Sequence, residues 1–458
     1  MKKTSSSNYN VLISATLSSF LIPLSLSAVN VALPKMGKEL IMTSSELSWT
    51  ANSYLLTSAT FLLPFGNMAD IFGRKRVFLF GMLLFTTISL FLSLSDSSTS
   101  IIIFRALQGI GGAMVFGTAV ALLASVYEEN RGKVLGINAA SIYLGLSLGP
   151  LVGGIITENF GWRYVFAIKV PIGIIVLLFT LFSVKEEWYG KKDEQFDFAG
   201  ATLYSLALFL SMLGLSRIPR IEGFLLISGG MVLFFVFGYR KRIGKYQFFP
   251  TEMITKNKTF LYSSLAALIH YGSTYGLSFL LSLFFQHIKA FSADKTGLIL
   301  IFQSVVQSIL SPFAGKLSDK IEPRVISSLG MGLTAIGIFF LSLCGPSTPV
   351  IWILLYLAFV GIGFAFFISP NTNAIISSVD KRRYGVASSV VATTRLVGQS
   401  ISMSLIMIVF SIKIGERPID QVVYLQFMQS YKAILVAYFL MCVLGIYISI
   451  KRGRLRTL

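Results

Sequence analysis

Long apolar runs are the feature that most restricts how this chain can fold. A helix needs roughly 20 apolar residues, at about 1.5 Å each, to cross the hydrocarbon core of a bilayer. The sequence contains fourteen runs of about that length, separated by short polar segments. Their approximate limits are 11–34, 46–65, 77–95, 100–126, 134–157, 164–184, 198–215, 222–239, 259–286, 296–314, 325–343, 350–372, 384–410 and 431–450. We therefore predict an all-α membrane protein with fourteen transmembrane helices.

The composition agrees with this class. Hydrophobic residues make up 54% of the chain and charged residues 13%, and the mean hydropathy is +0.75, outside the usual range of soluble domains. The first run, from Val11 to Pro34, is too long for a cleaved signal peptide and predicts a first spanning helix. The cysteines Cys344 and Cys442 both lie in apolar surroundings, so no disulfide framework is predicted.

The positive charge is spread over short loops. The formal net charge is +19, but its Lys and Arg residues form small clusters with no continuous basic face, so we expect no nucleic-acid partner. When loops are assigned alternately to the two sides, most cations fall on the side of the N-terminus. Short cytoplasmic loops are enriched in Lys and Arg, so a multi-pass protein of the plasma membrane with both termini cytoplasmic is predicted.

A polar turn at residues 66–76 interrupts the second and third runs. It combines Gly66, Asp70, Gly73 and Arg74, and three consecutive cations predict a cytoplasmic position. We interpret its glycines as sites of close helix approach and Asp70 as an acceptor for free N–H groups at a helix start. An ordinary charged loop is the alternative for a single copy of this pattern.

The same spacing occurs a second time. Gly315 and Asp319 repeat the Gly-x-x-x-Asp pattern between two later apolar runs. The first copy follows run 2 and the second follows run 10, which indicates two six-helix halves with two extra helices between them. We predict an N-terminal bundle at 1–184, linkers and two inserted helices at 185–258, and a C-terminal bundle at 259–458.

Further motifs carry a resemblance to a known family. They are the end of run 1 at 29–34, residues 105–113, the glycine-rich stretch 149–154, Gly161-Trp162-Arg163 and residues 395–399. The chain resembles major facilitator superfamily transporters, specifically the fourteen-helix drug:proton antiporter branch. The resemblance implies two six-helix bundles plus two inserted helices, alternating access, and multidrug efflux coupled to proton entry. It also implies that the turns containing Gly66 and Gly315 gate the cytoplasmic side.

The glycine-rich stretch predicts a bend in the fifth helix. Pro150 has no N–H to donate to the carbonyl of Leu146, and Gly149, Gly153 and Gly154 remove side chains around it. We expect close packing against a neighbouring helix. The resemblance implies that this bend takes part in alternating access, and a static kinked contact is the alternative.

Charges inside the apolar runs are the sharpest functional signal. Arg105, Lys169, Arg395 and His270 lie within them, whereas all 20 carboxylates fall at segment ends or in loops. Charge in the hydrocarbon region costs about 2.5–3.5 kcal/mol on insertion scales, so such groups normally have a partner or a task. We predict that Asn30, Arg105 and Lys169 contribute to one electropositive pocket in the outer half of the first bundle.

Each of these residues also has a structural interpretation. Arg105 could bind neighbouring backbone carbonyls, and Lys169 could extend its ammonium to the surface. Arg395 could make a polar contact between helices, and His270 could be a satisfied core residue. Two positions depart from the family: Ser25 stands where an Asp is usual and Lys169 where an Asn is usual, so the pathway is more positive.

The remaining pathway residues are aromatic or neutral. We include them because they offer broad contact surface to a bulky amphiphile. They are Tyr54, Gln108, Tyr271, Tyr275, Gln303 and Gln307.

Two transport functions stay open. The family implies export of lipophilic, often cationic, molecules against entering protons. The charges favour an anionic or lipid-like substrate whose export is driven by membrane voltage. No catalytic or metal-binding constellation is present in the sequence, so an enzyme, a cofactor and a metal are not predicted, and a membrane sensor or assembly protein is a weaker alternative. We expect the partners to be the bilayer, an amphiphilic small molecule and protons, with the chain as a monomer.

Overall fold

The computed structural model describes residues 5–127, 131–190, 194–243, 257–318, 320–379, 384–415, 417–419 and 422–453. All regular secondary structure in these ranges is helical. Within these ranges, fourteen helical spans are long and apolar enough to cross a membrane, which confirms the predicted number of spans.

The first nine helices form eight spans. They are α1 (Ser5–Glu39), α2 (Ser44–Phe72), α3 (Arg74–Ser93), α4 (Ser98–Val126), α5 (Arg131–Asn159), α6 (Arg163–Ala167), α7 (Lys169–Ser183), α8 (Phe198–Arg217) and α9 (Ile221–Ile243). Helices α6 and α7 together make the sixth span. Their separation at Ile168 follows from Pro171, which has no N–H to donate to the carbonyl of Ala167.

The remaining helices form six spans. They are α10 (Lys258–Gly272), α11 (Gly276–Leu283) with the π-helical turn Phe284–Ile288, α12 (Ala293–Ser318), α13 (Pro323–Ser342), α14 (Val350–Ser377), α15 (Tyr384–Lys413) and α16 (Tyr424–Lys451). Several extend past the predicted apolar runs: the run 431–450, for example, is part of a helix that begins at Tyr424.

The ninth span is interrupted, although the sequence predicted one continuous run. The interruption lies between Gly272 and Gly276, where the Ser273 and Thr274 hydroxyls donate to the carbonyl of His270 at 3.0 and 2.6 Å. The N–H of Gly276 donates to Ser402 Oγ at 2.9 Å. Side chains therefore satisfy backbone groups at the break, as required in an apolar environment.

The chain divides into two compact units. One contains Met1–Leu40 and Trp49–Phe248, and the other contains Ile41–Ser48 and Phe249–Leu458. The same pairs of spans pack together in each unit. The first span packs against the fifth (α1 on α5, α10 on α15), and the third packs against the fourth (α3 on α4, α13 on α14). This recurrence is what an internally duplicated fold requires.

Helices α8 and α9 pack mainly against each other within the first unit. Polar contacts join α8 to α2: Asn52 Nδ2 donates to Ser216 Oγ at 2.8 Å, and Ser205 Oγ donates to the carbonyl of Thr60 at 3.5 Å. The two predicted inserted helices are thus attached to the second span of the first bundle.

Candidate transport pathway and gating turn

The predicted turn at 66–76 is mostly helical. Helix α2 continues to Phe72 and α3 begins at Arg74, so Gly73, with φ of 112°, alone separates them. Asp70 accepts from Arg74 Nε at 2.8 Å in an i, i+4 ion pair. Arg74 also donates to the carbonyl of Ala121 at 3.0 Å and to the hydroxyl of Ser125, which ties the turn to α4.

Asp70 does not have the capping role that the sequence suggested, because its side chain pairs with Arg74. Glu187 supplies that role instead: its Oε1 accepts from the N–H of Lys75 at 2.7 Å, and its Oε2 accepts from the N–H of Arg76 at 3.2 Å. A carboxylate at the start of a helix satisfies free N–H groups and complements the helix dipole. The only sequence signal was the acidic residue itself, in a segment that we predicted to be a linker.

The backbone around Glu187 also binds the turn. The N–H of Arg74 donates to the carbonyl of Trp188, and the N–H of Gly190 donates to the carbonyl of Asp70, both at 2.9 Å. We call residues 184–190 the strap. It lies across the α2–α3 turn and joins it to the chain that leads to α8.

The backbone of Gly66 lies close to α4, but a side chain at Gly66 would not intrude between helices as predicted. A Cβ added there would meet no atom within 4 Å, whereas one added at Gly117 of α4 would lie 3.3 Å from the Gly66 nitrogen. The small residue that this contact needs is therefore Gly117. In the second copy, a Cβ on Gly315 would lie 3.1 Å from Ser369 Oγ, and Asp319 falls outside the described residues.

Helix α5 packs closely on α1, as the glycine-rich stretch predicts. A Cβ on Gly149 would lie 1.8 Å from Ser27 Oγ, and one on Gly153 would lie 2.5 Å from the carbonyl oxygen of Ala28. Pro150 lies inside α5, and Gly154 is buried beside it. A side chain at Gly149 or Gly153 would force the two helices apart.

Arg105 is a buried hydrogen-bonding centre in the first unit. Its side chain is almost fully buried, and it donates to the carbonyl of Thr50 at 3.1 Å and to Gln108 Oε1 at 2.7 Å. Gln108 in turn donates to Ser89 Oγ at 2.7 Å. The guanidinium carbon lies 4.5 Å from the ring centroid of Tyr54, a cation–π contact. This network connects α2, α3 and α4.

A glycine on α4 leaves the space that the Tyr54 side chain occupies. A Cβ on Gly112 would lie 2.2 Å from the Tyr54 hydroxyl oxygen, so only glycine leaves room for the phenol. A Cβ on Gly109 would similarly lie 2.2 Å from Thr57 Oγ1. Both glycines are therefore close-packing positions between α4 and α2.

Lys169 does not reach the surface. Its side chain is 1% exposed, its ammonium lies 4.3 Å from the centroid of the Phe166 ring, and it makes no hydrogen bond to a described residue. Arg105 is near enough for the two positive charges to repel. Asn30, predicted to join them, is also buried, and its Oδ1 accepts no hydrogen bond from the described chain.

Ion pairs at one end of the first unit show that Arg105 and Lys169 share a depth. Arg163, at the start of α6, pairs with Asp96 at 3.1 Å just before α4 begins, and it also pairs with Glu39. Arg105 lies seven residues into α4 and Lys169 six residues beyond Arg163. At about 1.5 Å per residue, both lie about 10 Å from that end.

His270 is buried in an aromatic site of the second unit. Its ring stacks on Phe367 with 4.1 Å between centroids and makes an edge-to-face contact with Phe364 with 4.7 Å between centroids. Neither ring nitrogen makes a hydrogen bond within the described chain. The described chain therefore does not supply the hydrogen bonds that the alternative of a satisfied polar core residue requires.

The other predicted pathway residues of the second unit vary in burial. Tyr271 is buried beside His270, whereas four other predicted pathway residues of this unit are only partly buried. These four are Tyr275 before α11, Gln303 and Gln307 on α12, and Arg395 on α15. Among the described residues of the whole chain, no group of His, Cys, Asp or Glu could hold a metal ion.

Comparison with known proteins identifies the family. The sequence profile described as Major Facilitator Superfamily matches residues 15–403. The chain belongs to the major facilitator superfamily. Its fold and family are therefore those of multi-pass membrane transporters, in agreement with the motifs.

Curated relatives in this superfamily include exporters. The riboflavin transporter RibZ of Clostridioides difficile (strain 630) is 26% identical over 386 residues, which cover 84% of each chain. The cephamycin export protein CmcT of Amycolatopsis lactamdurans is 30% identical over 424 residues, 89% of this chain and 86% of that protein. The multidrug resistance protein Stp of Mycobacterium tuberculosis (strain ATCC 25618 / H37Rv) is 27% identical, covering 86% of this chain and 74% of that protein.

Solved structures agree with the superfamily fold. A bacterial homologue of the human lysosomal transporter Spinster, inward-facing and unoccupied, aligns with a TM-score of 0.74 and 16% identity over 98% of both chains. A D-xylose–proton symporter aligns with a TM-score of 0.68 and 15% identity over 97% of both chains. At these identities the likeness concerns the fold alone.

One buried charge of this superfamily member was missed. Arg452 follows the last apolar run and was not among the predicted site residues, yet it is 1% exposed. Its guanidinium donates to Asn371 Oδ1 at 2.9 Å, Ser327 Oγ at 3.3 Å and Ser263 Oγ at 3.4 Å. Burial lowers the pKa of Arg452 to about 10. The residue thus joins α10, α13 and α14 at the end of α16, which no local sequence pattern reveals.

Proposed function

We propose that this major facilitator exports lipophilic or amphiphilic small molecules by alternating access, with proton entry as the source of energy. The observation that carries the proposal is the buried polar cluster of the first unit, in which Arg105, Gln108 and Tyr54 lie inside otherwise apolar helices. Polar groups at that depth normally mark a substrate or ion path. The names of relatives such as the cephamycin exporter support an outward direction.

Proton coupling needs a group that gains and loses a proton within the protein. In the second unit we assign this role to His270, because both of its ring nitrogens are buried without a hydrogen-bond partner in the described chain. Glu46 is the alternative at a helix end: its carboxylate accepts from the N–H and the hydroxyl of Thr43.

A second candidate is export of an anionic or lipid-like substrate driven by voltage without obligatory proton coupling. It is supported by the charges in the described core: Arg105, Lys169 and Arg452 are fully buried, and no Asp or Glu is. A cation entering the first unit would meet positive charge with no counter-ion. With the cell interior negative, export of one negative charge gains about 2.3 kcal/mol per 100 mV.

Purified protein in liposomes separates the two candidates. The pH gradient and the voltage are imposed independently, and a cationic dye and an anionic amphiphile are each assayed. Dye extrusion that follows the pH gradient and is unchanged in Lys169→Asn would support proton-coupled export and contradict the anion function. Anion movement that follows voltage and ignores pH would contradict proton coupling.

We further propose that the chain acts as a monomer in the plasma membrane with both termini in the cytoplasm. The bilayer, the amphiphile and protons are its proposed partners, without nucleic acid. A sensor or assembly protein of the same fold would bind the amphiphile without moving it across the liposome membrane, so the transport assay also tests that alternative.

A further inference from the structure

The ammonium of Lys169 is the least satisfied charge in the described chain. It is 1% exposed, makes no hydrogen bond or ion pair to a described residue, and has a cation–π contact with Phe166 as its principal attraction. A cation–π contact contributes about 0.5–2 kcal/mol. Removing an ammonium from water costs several kcal/mol, so this contact alone does not compensate for burial.

The surroundings of Lys169 add to the free-energy cost of burying its ammonium. Arg105 adds a second positive charge from α4, and no fully buried Asp or Glu in the described residues offsets it. The described carboxylates of the first unit lie near helix ends or between helices, and Glu39, Asp70 and Glu158 are already engaged by cations. The interior of this unit therefore favours an anion from outside the chain.

Hydroxyl groups on α3 near Lys169 are also available to bind a ligand. Helix α7 is held tightly against α3 one turn beyond Lys169, because a Cβ on Gly173 would lie 2.2 Å from Thr86 Oγ1. The Thr86 hydroxyl is buried and makes no hydrogen bond to the described chain. On the same face of α3, Ser89 is held by Gln108, the residue that also binds Arg105. Ammonium, guanidinium and hydroxyl donors are the groups that bind carboxylates, sulfonates and phosphates.

We propose that Lys169, together with Arg105, binds the anionic head group of the exported amphiphile. This inference rests on the proposed export function and names the substrate class: a monoanion attached to an aromatic or aliphatic body. Lys169 supplies the charge that no protein carboxylate neutralises, and Arg105 supplies a guanidinium that Thr50 and Gln108 orient. The rings of Phe166 and Tyr54 lie beside the two cations and offer apolar surface to the body of the ligand.

The experiment compares two probes that share an aromatic frame. Anilinonaphthalene sulfonate carries one negative charge, and phenylnaphthylamine is neutral. Binding of each is measured by fluorescence to the full-length protein in lipid nanodiscs, with empty nanodiscs as the background. Lys169→Met removes the charge and keeps an unbranched apolar side chain. Lys295→Met is the matched control, because Lys295 is exposed and also lies over an aromatic ring, that of Phe291 at 3.8 Å.

We expect Lys169→Met to weaken sulfonate binding by about tenfold or more, the size of one lost hydrogen bond between charged partners. Binding of the neutral probe stays the same, Lys169→Arg retains most of the sulfonate affinity, and Lys295→Met behaves as the unmodified protein. Equal sulfonate binding by the unmodified protein and by Lys169→Met would overturn the proposal. So would an equal loss of both probes in a Lys169→Met protein that remains monodisperse with an unchanged melting temperature.

Transport is measured in a separate assay, so that a failure of the export function can be distinguished from a failure of the anion site. If sulfonate binding depends on Lys169 but liposomes move neither probe, the anion site stands and the export function is wrong. If the liposomes export probe while Lys169→Met leaves binding and transport unchanged, the export function stands and the anion site is wrong.

Discussion

The carboxylate of Glu187 occupies the space that a side chain at Gly73 would need. A Cβ on Gly73 would lie 2.7 Å from the carboxyl carbon of Glu187, and the φ of 112° at Gly73 also excludes most side chains. From this position Glu187 accepts the first N–H groups of α3. The α2–α3 turn therefore depends on a residue more than a hundred positions away in the sequence.

Glu187→Ala should loosen this turn. It removes the acceptor for the N–H groups of Lys75 and Arg76, and loss of such a cap costs about 0.5–2 kcal/mol. We expect a lower melting temperature in detergent and faster hydrogen exchange at the start of α3. Glu186→Ala is the control, because Glu186 is exposed in the same segment. Equal behaviour of the two variants would contradict the role of Glu187.

Asp70→Asn should slow turnover and leave ligand binding nearly intact. The substitution weakens the ion pair with Arg74, which is partly shielded from solvent, and so alters the turn far from the buried cations. Binding constants should change by less than about twofold, as for a distant and independent site. Transport rate and probe affinity are measured on the same preparation, with Asp96→Asn as the control because Asp96 is the exposed partner of Arg163. Loss of binding in a correctly inserted Asp70→Asn protein would show that its role is misassigned.

Gly149→Ala should destabilise the α1–α5 contact. The added methyl group would lie 1.8 Å from Ser27 Oγ, and overpacking of this kind typically costs about 1–3 kcal/mol. Gly136→Ala on the same helix meets no atom within 4 Å, and it should raise stability by up to about 1 kcal/mol through helix propensity. Melting temperature measures both effects. Combining Gly149→Ala with Ser27→Ala should recover part of the loss, whereas equal stability of the two single variants would contradict close packing.

Cysteine labelling tests the orientation of the duplicated turns. Asp70→Cys and Asp319→Cys should react with a membrane-impermeant maleimide from the cytoplasmic side, and Asp96→Cys from the outside. We expect little labelling of the two native cysteines. Cys344 and Cys442 are buried, and burial raises the pKa of Cys344 to about 11. Because the thiolate is the reactive form, labelling of Cys344 should be slow near pH 7 and rise as the pH approaches 11. Reaction of positions 70 and 319 from opposite sides would contradict the duplication.

The sequence by itself determined the number of spans, the duplicated turn and the family. These follow from local requirements, because every crossing of a bilayer needs its own apolar run and a turn motif is contiguous in the chain. Local rules also identified Arg105 and Lys169, since charge within an apolar run is visible without a structure.

Only the tertiary structure decided which groups those residues contact. The cap of α3 is Glu187, where the sequence had suggested Asp70. The glycine that the close contact requires is Gly117, where the sequence had suggested Gly66. Arg452 is buried, and Lys169 has no anionic partner in the described chain. The physical reason is that capping, close packing and charge neutralisation depend on the distance between atoms of different helices, and hydrophobic pattern specifies a helix without specifying its neighbours.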